Sequence, residues 1–515
     1  MATSCSSSGD SAGPAAAFVG GAAADEPRAA IVARDILATG GSAVDAVTAA
    51  YFALSVTLPI SASLGGSGVC LVFDAKLNRI EAVDFMARGA AAGGPPVPMN
   101  ARGFFIMQGR YGRARWEQVV APAEGLARFG TPVSRALARE LAEAAGVVNA
   151  NPELGRIFRR GATALREGDQ LIQPELANTL AIIRARGGKD FHEGPEAPAF
   201  VAAARAAGAN FTADEFRGAA PQMRAPIAVN FEGLRVAFVP PPANAGLYQA
   251  QLWQMLLPRW QAASRDEQPH LFIEAARRAL AETQSWPNLD LADFGTIGTY
   301  MSTQRAASLM ADYRPQQQAS ARPAGGFVEE VATTTLVAAD KEGGAAACAV
   351  SMGAPFGSGR VANGVVLAAP SQAALRGMAS LDVVMAVRST GGALSFSPRA
   401  NTGQVVFAGG AGNGPGAASA LVQLALTTTL ERRPLSEAMD RPRLLPIGGG
   451  DEVRAEEGAA QRYPGLASRG HRLVAGAEIG RINAISCTGG LIDEPTTCRV
   501  RADTRGHGLA VGGVR

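Results

Sequence analysis

A run of hydroxyl side chains stands at the head of an apolar stretch, Val331-Ala-Thr-Thr-Thr-Leu-Val-Ala-Ala-Asp340. The segment before it, 314–326, is rich in Gln, Ala, Pro and Gly and is predicted to be an exposed linker. Threonine is common in strands, so the run alone is typical of ordinary strand composition. A hydroxyl at the first position of a strand is nevertheless a candidate nucleophile if a base can activate it.

Metal and nucleotide signatures are absent from the sequence. It contains no His-Glu-x-x-His, no Cys-x-x-Cys and no Walker-type loop. The glycine-rich run at 409–416 fits Gly-x-Gly-x-x-Gly in no register, so we interpret it as a place where backbone amides are presented. We therefore expect no metal and no cofactor.

Composition narrows the classes of partner. The net charge is only +3, and no run of Lys and Arg alternates with aromatic residues, so nucleic acid is not expected as a partner. No stretch reaches the ~18 consecutive apolar residues of a membrane span. Hydrophobic residues make up 47% of the chain, with 61 glycines, which favours a close-packed globular protein.

The first residues are polar and lack the pattern of an ordinary signal peptide. Ala2-Thr3-Ser4-Cys5 is loosely similar to the last residues of a bacterial lipoprotein signal, which would make Cys5 a lipid-anchoring site. The alternative is a plain disordered tail over 1–16.

The other four cysteines bear on the redox compartment. Cys70 and Cys348 lie in apolar, strand-like runs, where we expect small buried hydrophobic side chains. Cys487 and Cys498 flank a turn and could pair in an oxidising compartment. Both the paired and the unpaired state of these last two remain open from sequence.

Hydrophobic periodicity outlines the elements that would hold the threonine run. Two helices are predicted, over 26–39 and after Ser42, followed by paired strands at 69–73 and 79–84. Residues 130–290 are predicted to be mostly helical. Strands return at 333–339 and 345–351 across a tight turn, and a strand at 404–408 leads through the glycine run into a helix over 417–430.

Several ordered motifs resemble those of the gamma-glutamyltransferase family, from about residue 17 to the end. Gly40-Gly-Ser-Ala-Val-Asp-Ala-Val47 resembles its Gly-Gly-Asn-Ala-Val-Asp-Ala segment, and Pro240-Pro-Pro-Ala-Asn-Ala-Gly246 its Pro-Pro-Pro-Ser-Ser-Gly-Gly. His270-Leu-Phe-Ile-Glu-Ala275 is similar to its His-Leu-x-x-Glu-Ala. The family's Thr-Thr-His-x-Ser-Val-Val-Asp strand and its later Phe-Gly-Ser/Thr-Gly loop place Thr333 on the nucleophile.

The resemblance implies an α+β, four-layer αββα N-terminal-nucleophile hydrolase fold, with two stacked antiparallel sheets between helical layers. It also implies self-cleavage between Ala332 and Thr333, which would leave parts 17–332 and 333–515 associated. The freed α-amine of Thr333 would then act as the base for its own hydroxyl. By the same resemblance Gly412 and Asn413 would supply oxyanion donors, and Ser351 would support the nucleophile.

The family's clamp for the substrate's α-carboxylate and α-amine is not matched. Its positions fall on Met86, Gly353, the neutral stretch 368–372 and Leu394-Ser395, which leaves Ser395 and the nearby Arg88 as candidate substrate-binding residues. Losing a bidentate Arg contact argues against tight use of ordinary glutathione-like donors.

Three functions are compatible with these features. The first is a self-processing amide hydrolase or acyltransferase with an altered donor pocket, which takes a small acyl or gamma-glutamyl donor and water or an amine as acceptor. The second is a catalytically inactive family member that serves as a structural or binding subunit of an assembly. The third is an unrelated enzyme. The resemblance favours a periplasmic or exported location, with the cytoplasm as the alternative.

Overall fold

The computed structural model describes residues 18–288, 294–319, 332–370, 381–389, 403–413, 416–446 and 451–514. The predictions at Cys5, the tail 1–16 and Ser395 lie outside these ranges, as does most of the linker. Residues 314–317, which begin the predicted linker, are exposed. Among the described residues no helix combines the length and apolar character needed to cross a membrane.

The described helices are α1 Pro27–Ala38, α2 Ala43–Thr57, α3 Pro59–Ala62, α4 Asn100–Tyr111, α5 Trp116–Phe129, α6 Arg135–Glu143, α7 Ala145–Ala150, α8 Pro152–Phe158, α9 Pro174–Glu193, α10 Ala197–Ala206, α11 Ala213–Gly218, α12 Ala245–Trp260, α13 Gln268–Glu282, α14 Phe294–Tyr300, α15 Thr303–Leu309, α16 Ala417–Thr429, α17 Leu435–Met439, α18 Ala459–Arg462 and α19 Gly465–Ser468.

The described strands are β1 Phe18–Ala24, β2 Ser67–Asp74, β3 Arg79–Phe85, β4 Thr131–Pro132, β5 Arg159–Arg160, β6 Thr163–Ala164, β7 Gln170–Leu171, β8 Gln222–Arg224, β9 Ile227–Phe231, β10 Leu234–Phe238, β11 Thr333–Asp340, β12 Ala345–Ser351, β13 Val361–Ala362, β14 Val365–Val366, β15 Asp382–Ser389, β16 Gly403–Gly412, β17 Leu444–Pro446, β18 Glu452–Ala455, β19 Arg472–Ala475, β20 Arg481–Cys487, β21 Cys498–Ala502 and β22 Leu509–Val514.

Two antiparallel sheets organise the fold. The first has the strand order β22-β1-β11-β12-β2-β3-β8, and the second has the order β21-β20-β16-β15-β10-β9. A core of small and branched side chains from both sheets fills the space between them. The outer face of the first sheet packs on α1, α2, α4, α5 and α9, and that of the second packs on α12, α13 and α16. The predicted α+β, four-layer αββα architecture is confirmed.

Side-chain alternation along β11 assigns its residues to opposite layers. Val337 and Ala339 pack in the core between the sheets, whereas Leu336 and Ala338 face the helical layer. The same parity puts Thr333 and Thr335 on the face toward the second sheet. A turn closed by a bond from the Asp340 amide to the Gly344 carbonyl (2.9 Å) joins β11 to β12, as predicted.

Most of the predicted elements are confirmed, and one region was misread. The helix after Ser42 begins with a capping box between Ser42 and Asp45, which satisfies backbone amides of its first turn. The region 130–290, predicted to be mostly helical, also contributes β9 and β10 to the second sheet. Two neighbouring strands of five residues in a helix-rich segment give a weak periodic signal.

The prediction that Cys70 and Cys348 are separate buried side chains is wrong, because they form a disulfide between β2 and β12. They are directly opposite in the register of these strands, with their Cα atoms 4.0 Å apart. Cys487 and Cys498 also pair, across β20 and β21. The partners of the first disulfide are 278 residues apart in sequence, so the strand runs alone did not reveal the pairing.

Candidate active site

Thr333 is the first residue of β11 and is only 1% exposed. It lies directly opposite Ser351 in the register of β11 and β12. Its main-chain nitrogen donates a hydrogen bond to Oδ1 of Asn413, which follows β16 in the second sheet (2.9 Å). The candidate nucleophile is therefore held from both sheets at the end of the core that they share.

The hydroxyls of the two following threonines have defined structural partners. Thr334 Oγ1 donates to the buried carboxylate of Asp25 (2.8 Å). Thr335 Oγ1 donates to the Gly410 carbonyl (3.3 Å) and accepts from the side-chain amide of Asn483 (2.9 Å). Thr334 points away from the second sheet, and Thr335 lies deeper between the sheets than Thr333. These contacts give Thr334 and Thr335 structural roles inside the core.

Gly412 allows β16 to approach Thr333 closely. A Cβ atom at position 412 would lie 3.0 Å from Cγ2 and 3.1 Å from the carbonyl oxygen of Thr333. Contacts that short are tighter than ordinary van der Waals packing, so a side chain at position 412 would press against Thr333. Asn413 adopts φ +50°, a left-handed conformation that asparagine tolerates better than most residues. The structure thus brings Thr333, Gly412 and Asn413 together.

Ser351 lies beside Thr333 on the same face and is 2% exposed. Its Oγ accepts a hydrogen bond from the Gly353 amide (2.9 Å), which fixes the end of β12. Ala332, the residue before the candidate nucleophile, adopts φ +57°, and its carbonyl accepts from the Met352 amide (3.1 Å). A non-glycine residue in this conformation stores about 1–2 kcal/mol of strain.

A cavity of about 330 Å³ opens beside the Ala332–Thr333 peptide bond. Its volume suits a small molecule. It is lined by Ile60, Ser61, Glu140, Glu143, Ala144, Ala332, Pro355, Asn413 and Arg481. Thr333 itself is not among these lining residues, whereas the preceding Ala332 is. A second cavity of about 370 Å³ is at the opposite end of β11, around Asp340.

One guanidinium serves two buried carboxyls near this cavity. Arg481 Nη1 donates to Glu140 (3.1 Å). Burial raises the pKa of Asp25, and the charge of Arg481 opposes that shift. Burial likewise raises the pKa of Glu140 to about 7, against the opposing field of Arg481. Glu140 therefore titrates near neutral pH.

The predicted substrate-binding residue Arg88 and two positions of the unmatched clamp, Met86 and Gly353, do not line this cavity. Arg88 is exposed and forms an isolated backbone bridge with Val97. Met86 is buried in the core between the sheets. Gly353 has φ +72°, and a Cβ there would lie 2.9 Å from the Ala369 carbonyl oxygen. The backbone of Ala369 therefore leaves no room at position 353 for the polar side chain that the resemblance would place there.

A buried cluster of His270, Glu274 and His471 offers donor atoms within 4.8 Å of one another. His270 Nδ1 and His471 Nε2 are 2.7 Å apart and share a hydrogen bond. Both carboxylate oxygens of Glu274 are already engaged, by Arg277 (3.2 Å) and Arg278 (2.7 Å). Two guanidinium charges beside the carboxylate disfavour a divalent cation, so the cluster is better explained as a structural contact.

Sequence reasoning missed Asp25, Glu140 and Asn483. Asn483 Nδ2 donates to Asp25 Oδ1 (2.8 Å) although 458 positions separate them. Contacts between residues so far apart in the chain leave no local sequence pattern. From the sequence, Asp25 is recognisable only as the residue before the helix N-cap Glu26. The helical spacing of α6 would place Glu140 on a half-buried face, but nothing in it indicates the cavity.

Two stacked antiparallel sheets between helical layers are the fold of the N-terminal-nucleophile hydrolases. The family model "Gamma-glutamyltranspeptidase" matches residues 29–94 and 88–513, and the chain belongs to this family. The glutathione hydrolase proenzyme of Escherichia coli is 30% identical over 389 residues, which are 69% of this chain and 66% of that protein. The chain thus spans just under two thirds of that relative's length.

Solved structures share the fold. The cephalosporin acylase of Bacillus halodurans superposes with a TM-score of 0.79 at 20% identity, covering 99% of both chains. The gamma-glutamyltranspeptidase of Helicobacter pylori has a TM-score of 0.52 at 23% identity, covering 57% of this chain and 91% of that one. At these identities the comparison establishes the fold.

Replacing Asp25 by Ala is expected to destabilise the protein strongly. The hydroxyl of Thr334, the amide of Thr335 and the side chain of Asn483 would lose their buried acceptor. We expect the free energy of unfolding in urea to fall by about 3 kcal/mol. Asp35→Ala is the matched control, since that side chain is 59% exposed, and should change it by less than about 0.5 kcal/mol. Equal losses in the two variants would contradict the structural role of Asp25.

Proposed function

We propose that the chain is a self-processing amide hydrolase or acyltransferase that cleaves itself before Thr333 and then uses Thr333 as nucleophile. One observation carries this proposal: Thr333 is the first residue of β11, it lies opposite Ser351 and beside Gly412, and its nitrogen donates to Asn413 of the second sheet. Membership of the gamma-glutamyltranspeptidase family supports it.

Self-cleavage begins with attack of Thr333 Oγ on the Ala332 carbonyl carbon. The peptide C–N bond breaks as the nitrogen takes a proton, and water then hydrolyses the ester to an Ala332 carboxylate and a free α-amine on Thr333. The left-handed conformation of Ala332 favours this step, because breaking the bond releases the stored strain.

Turnover then uses the new amine. With an ordinary pKa near 8, an α-amine accepts the hydroxyl proton at neutral pH, so no histidine is needed. Asn413 Oδ1 orients that nitrogen, and the backbone amides of Gly412 and Asn413 are the proposed donors to the oxyanion. Ser351 holds the neighbouring strand end. Water or an amine finally releases the acyl group.

The cavity beside Ala332 is the proposed donor pocket. Its walls combine Ile60, Ala144 and Pro355 with Glu140 and Arg481, so it accepts a donor with an apolar stem and a polar end. Small acyl and gamma-glutamyl amides are the donors to test, since the curated relatives include glutathione hydrolases. Arg88, which does not line the cavity, and Ser395, which lies outside the described residues, remain substrate-binding proposals.

Cleavage would divide the chain into parts 17–332 and 333–515 after the tail. The two parts would stay together, because β1 and β11 are neighbours in one sheet and Cys70–Cys348 crosses the break. Two disulfides favour an oxidising compartment, so we propose a periplasmic or exported location, with lipid attachment at Cys5 as a further possibility.

Wild-type protein is expected to give two bands on a reducing denaturing gel, and Thr333→Ala is expected to give one, because alanine has no hydroxyl to attack Ala332. Thr333→Ser keeps the hydroxyl and should still be cleaved. Without reductant the wild-type pieces should run as one species, since Cys70–Cys348 joins them. A wild-type chain that stays intact under reduction would rule out self-processing. Cleavage without turnover of any chromogenic acyl anilide would instead support the inactive, binding-subunit alternative.

Asn413→Gly is expected to lower the pKa of the catalytic amine. Oδ1 accepts from this nitrogen and stabilises its protonated form more than its neutral form, and glycine fits the backbone at φ +50°. The acidic limb of kcat/KM should move to lower pH by about half a unit to one unit. Asn363→Gly, which makes the same change at φ +48°, is the control. An unshifted limb in Asn413→Gly would contradict this role.

A further inference from the structure

Self-cleavage needs a base that turnover does not need. Before the cut, the nitrogen of Thr333 belongs to an amide and cannot accept a proton. None of the histidines lines the cavity beside Ala332. Among the described residues that do line it, the titratable groups are Glu140, Glu143 and Arg481, and a guanidinium donates hydrogen bonds but accepts none. A carboxylate is therefore the available base.

The two glutamates of the cavity differ in their surroundings. Glu140 is 7% exposed, and its carboxylate oxygens accept from Arg481 Nη1 (3.1 Å) and from Ser61 Oγ (3.2 Å). The side chain of Glu143 is 58% exposed and pairs with Arg139 (3.0 Å), as an ordinary surface carboxylate does. Of these two glutamates, only Glu140 is both buried and in contact with the cavity.

The charges around Glu140 are set by several elements. Burial has the largest effect on the pKa of Glu140 and raises it to about 7. The charge of Arg481 on β20 lowers this pKa, and the charge of Asp25 after β1 raises it. Arg139 on α6 and Glu478 before β20 pair with each other at 3.0 Å in the same region. The field of Arg481 also reaches His507 nearby, whose pKa is lowered chiefly by burial.

We propose that Glu140 accepts the hydroxyl proton of Thr333 and returns it to the Thr333 nitrogen when the Ala332–Thr333 bond is cut. This inference rests on the proposed function and adds a group that acts before the α-amine exists. It follows from the position of the carboxyl in the cavity that Ala332 and Asn413 also line. A cavity of this size and polarity holds water, which can carry a proton between two groups that are not in contact.

One proton passes through Glu140 during the self-cleavage step. The Glu140 carboxylate takes the Thr333 hydroxyl proton through water as Oγ bonds to the Ala332 carbonyl carbon. The C–N bond then breaks, and the Glu140 carboxyl returns the proton to the nitrogen. One water hydrolyses the resulting ester and restores the hydroxyl, so Glu140 ends as it began.

The test follows cleavage of newly made full-length chain. The chain is synthesised in a cell-free system, and synthesis is then stopped. Cleavage is timed on reducing gels at pH values from roughly 5.5 to 8.5, a range that spans the pKa of about 7 of Glu140. The wild-type rate should rise with pH through about 7, because the carboxylate is the reactive form. Glu140→Gln should cleave about 100-fold more slowly and lose that inflection.

Glu153→Gln is the matched control, because that side chain is 58% exposed, pairs with Arg156 on α8 and does not line the cavity, and it should keep the wild-type rate and pH dependence. Wild-type rate and profile in a folded Glu140→Gln variant would overturn the inference. If Glu140→Gln fails to fold, Glu140→Asp decides: a displaced inflection supports the role, and an unchanged rate and profile overturn it. Failure of the wild-type chain to cleave would count against the proposed function itself, so the two failures are distinguishable.

Discussion

The backbone register of β11 is the constraint on which the rest of the site depends. This strand is hydrogen-bonded on both sides, to β1 and to β12, so it cannot slide without breaking two ladders. The register puts Thr333 opposite Ser351, and strand parity turns it toward the second sheet. Gly412 then lets β16 come close enough for Asn413 to hold the Thr333 nitrogen.

Around that fixed threonine the polar environment is unevenly distributed. Asp25, Thr334 and Asn483 form a closed network beneath the strand, where every contact is buried and serves position. Among the described residues that line the cavity beside Ala332, Arg481 is the one with a guanidinium. It donates to Glu140, and its charge also acts on the buried carboxyl of Asp25. Burial raises the pKa of both carboxyls, that of Glu140 to about 7, so Glu140 can exchange a proton near neutral pH, as its proposed acid–base role requires.

The sequence predicted what local patterns and motif order can encode. The capping of α2, the turn at Asp340 and the strand that begins at Thr333 all follow from contiguous residues, and the family resemblance supplied the layer order. The hairpin of β9 and β10, the Cys70–Cys348 pair and the contacts of Asp25 depend on partners far along the chain. Long-range pairing is decided by the assembled sheets, so no local periodicity reports it.

The intact mass of the reduced wild-type protein tests cleavage before Thr333 most directly. Self-processing there requires two masses, the smaller matching a chain that begins at Thr333 and ends at Arg515. Thiol reduction is essential, because the disulfide between Cys70 and Cys348 would otherwise join the pieces. A single species of 52.8 kDa, or a small fragment that begins at Thr334 or Thr335, would contradict the assignment of Thr333 as nucleophile.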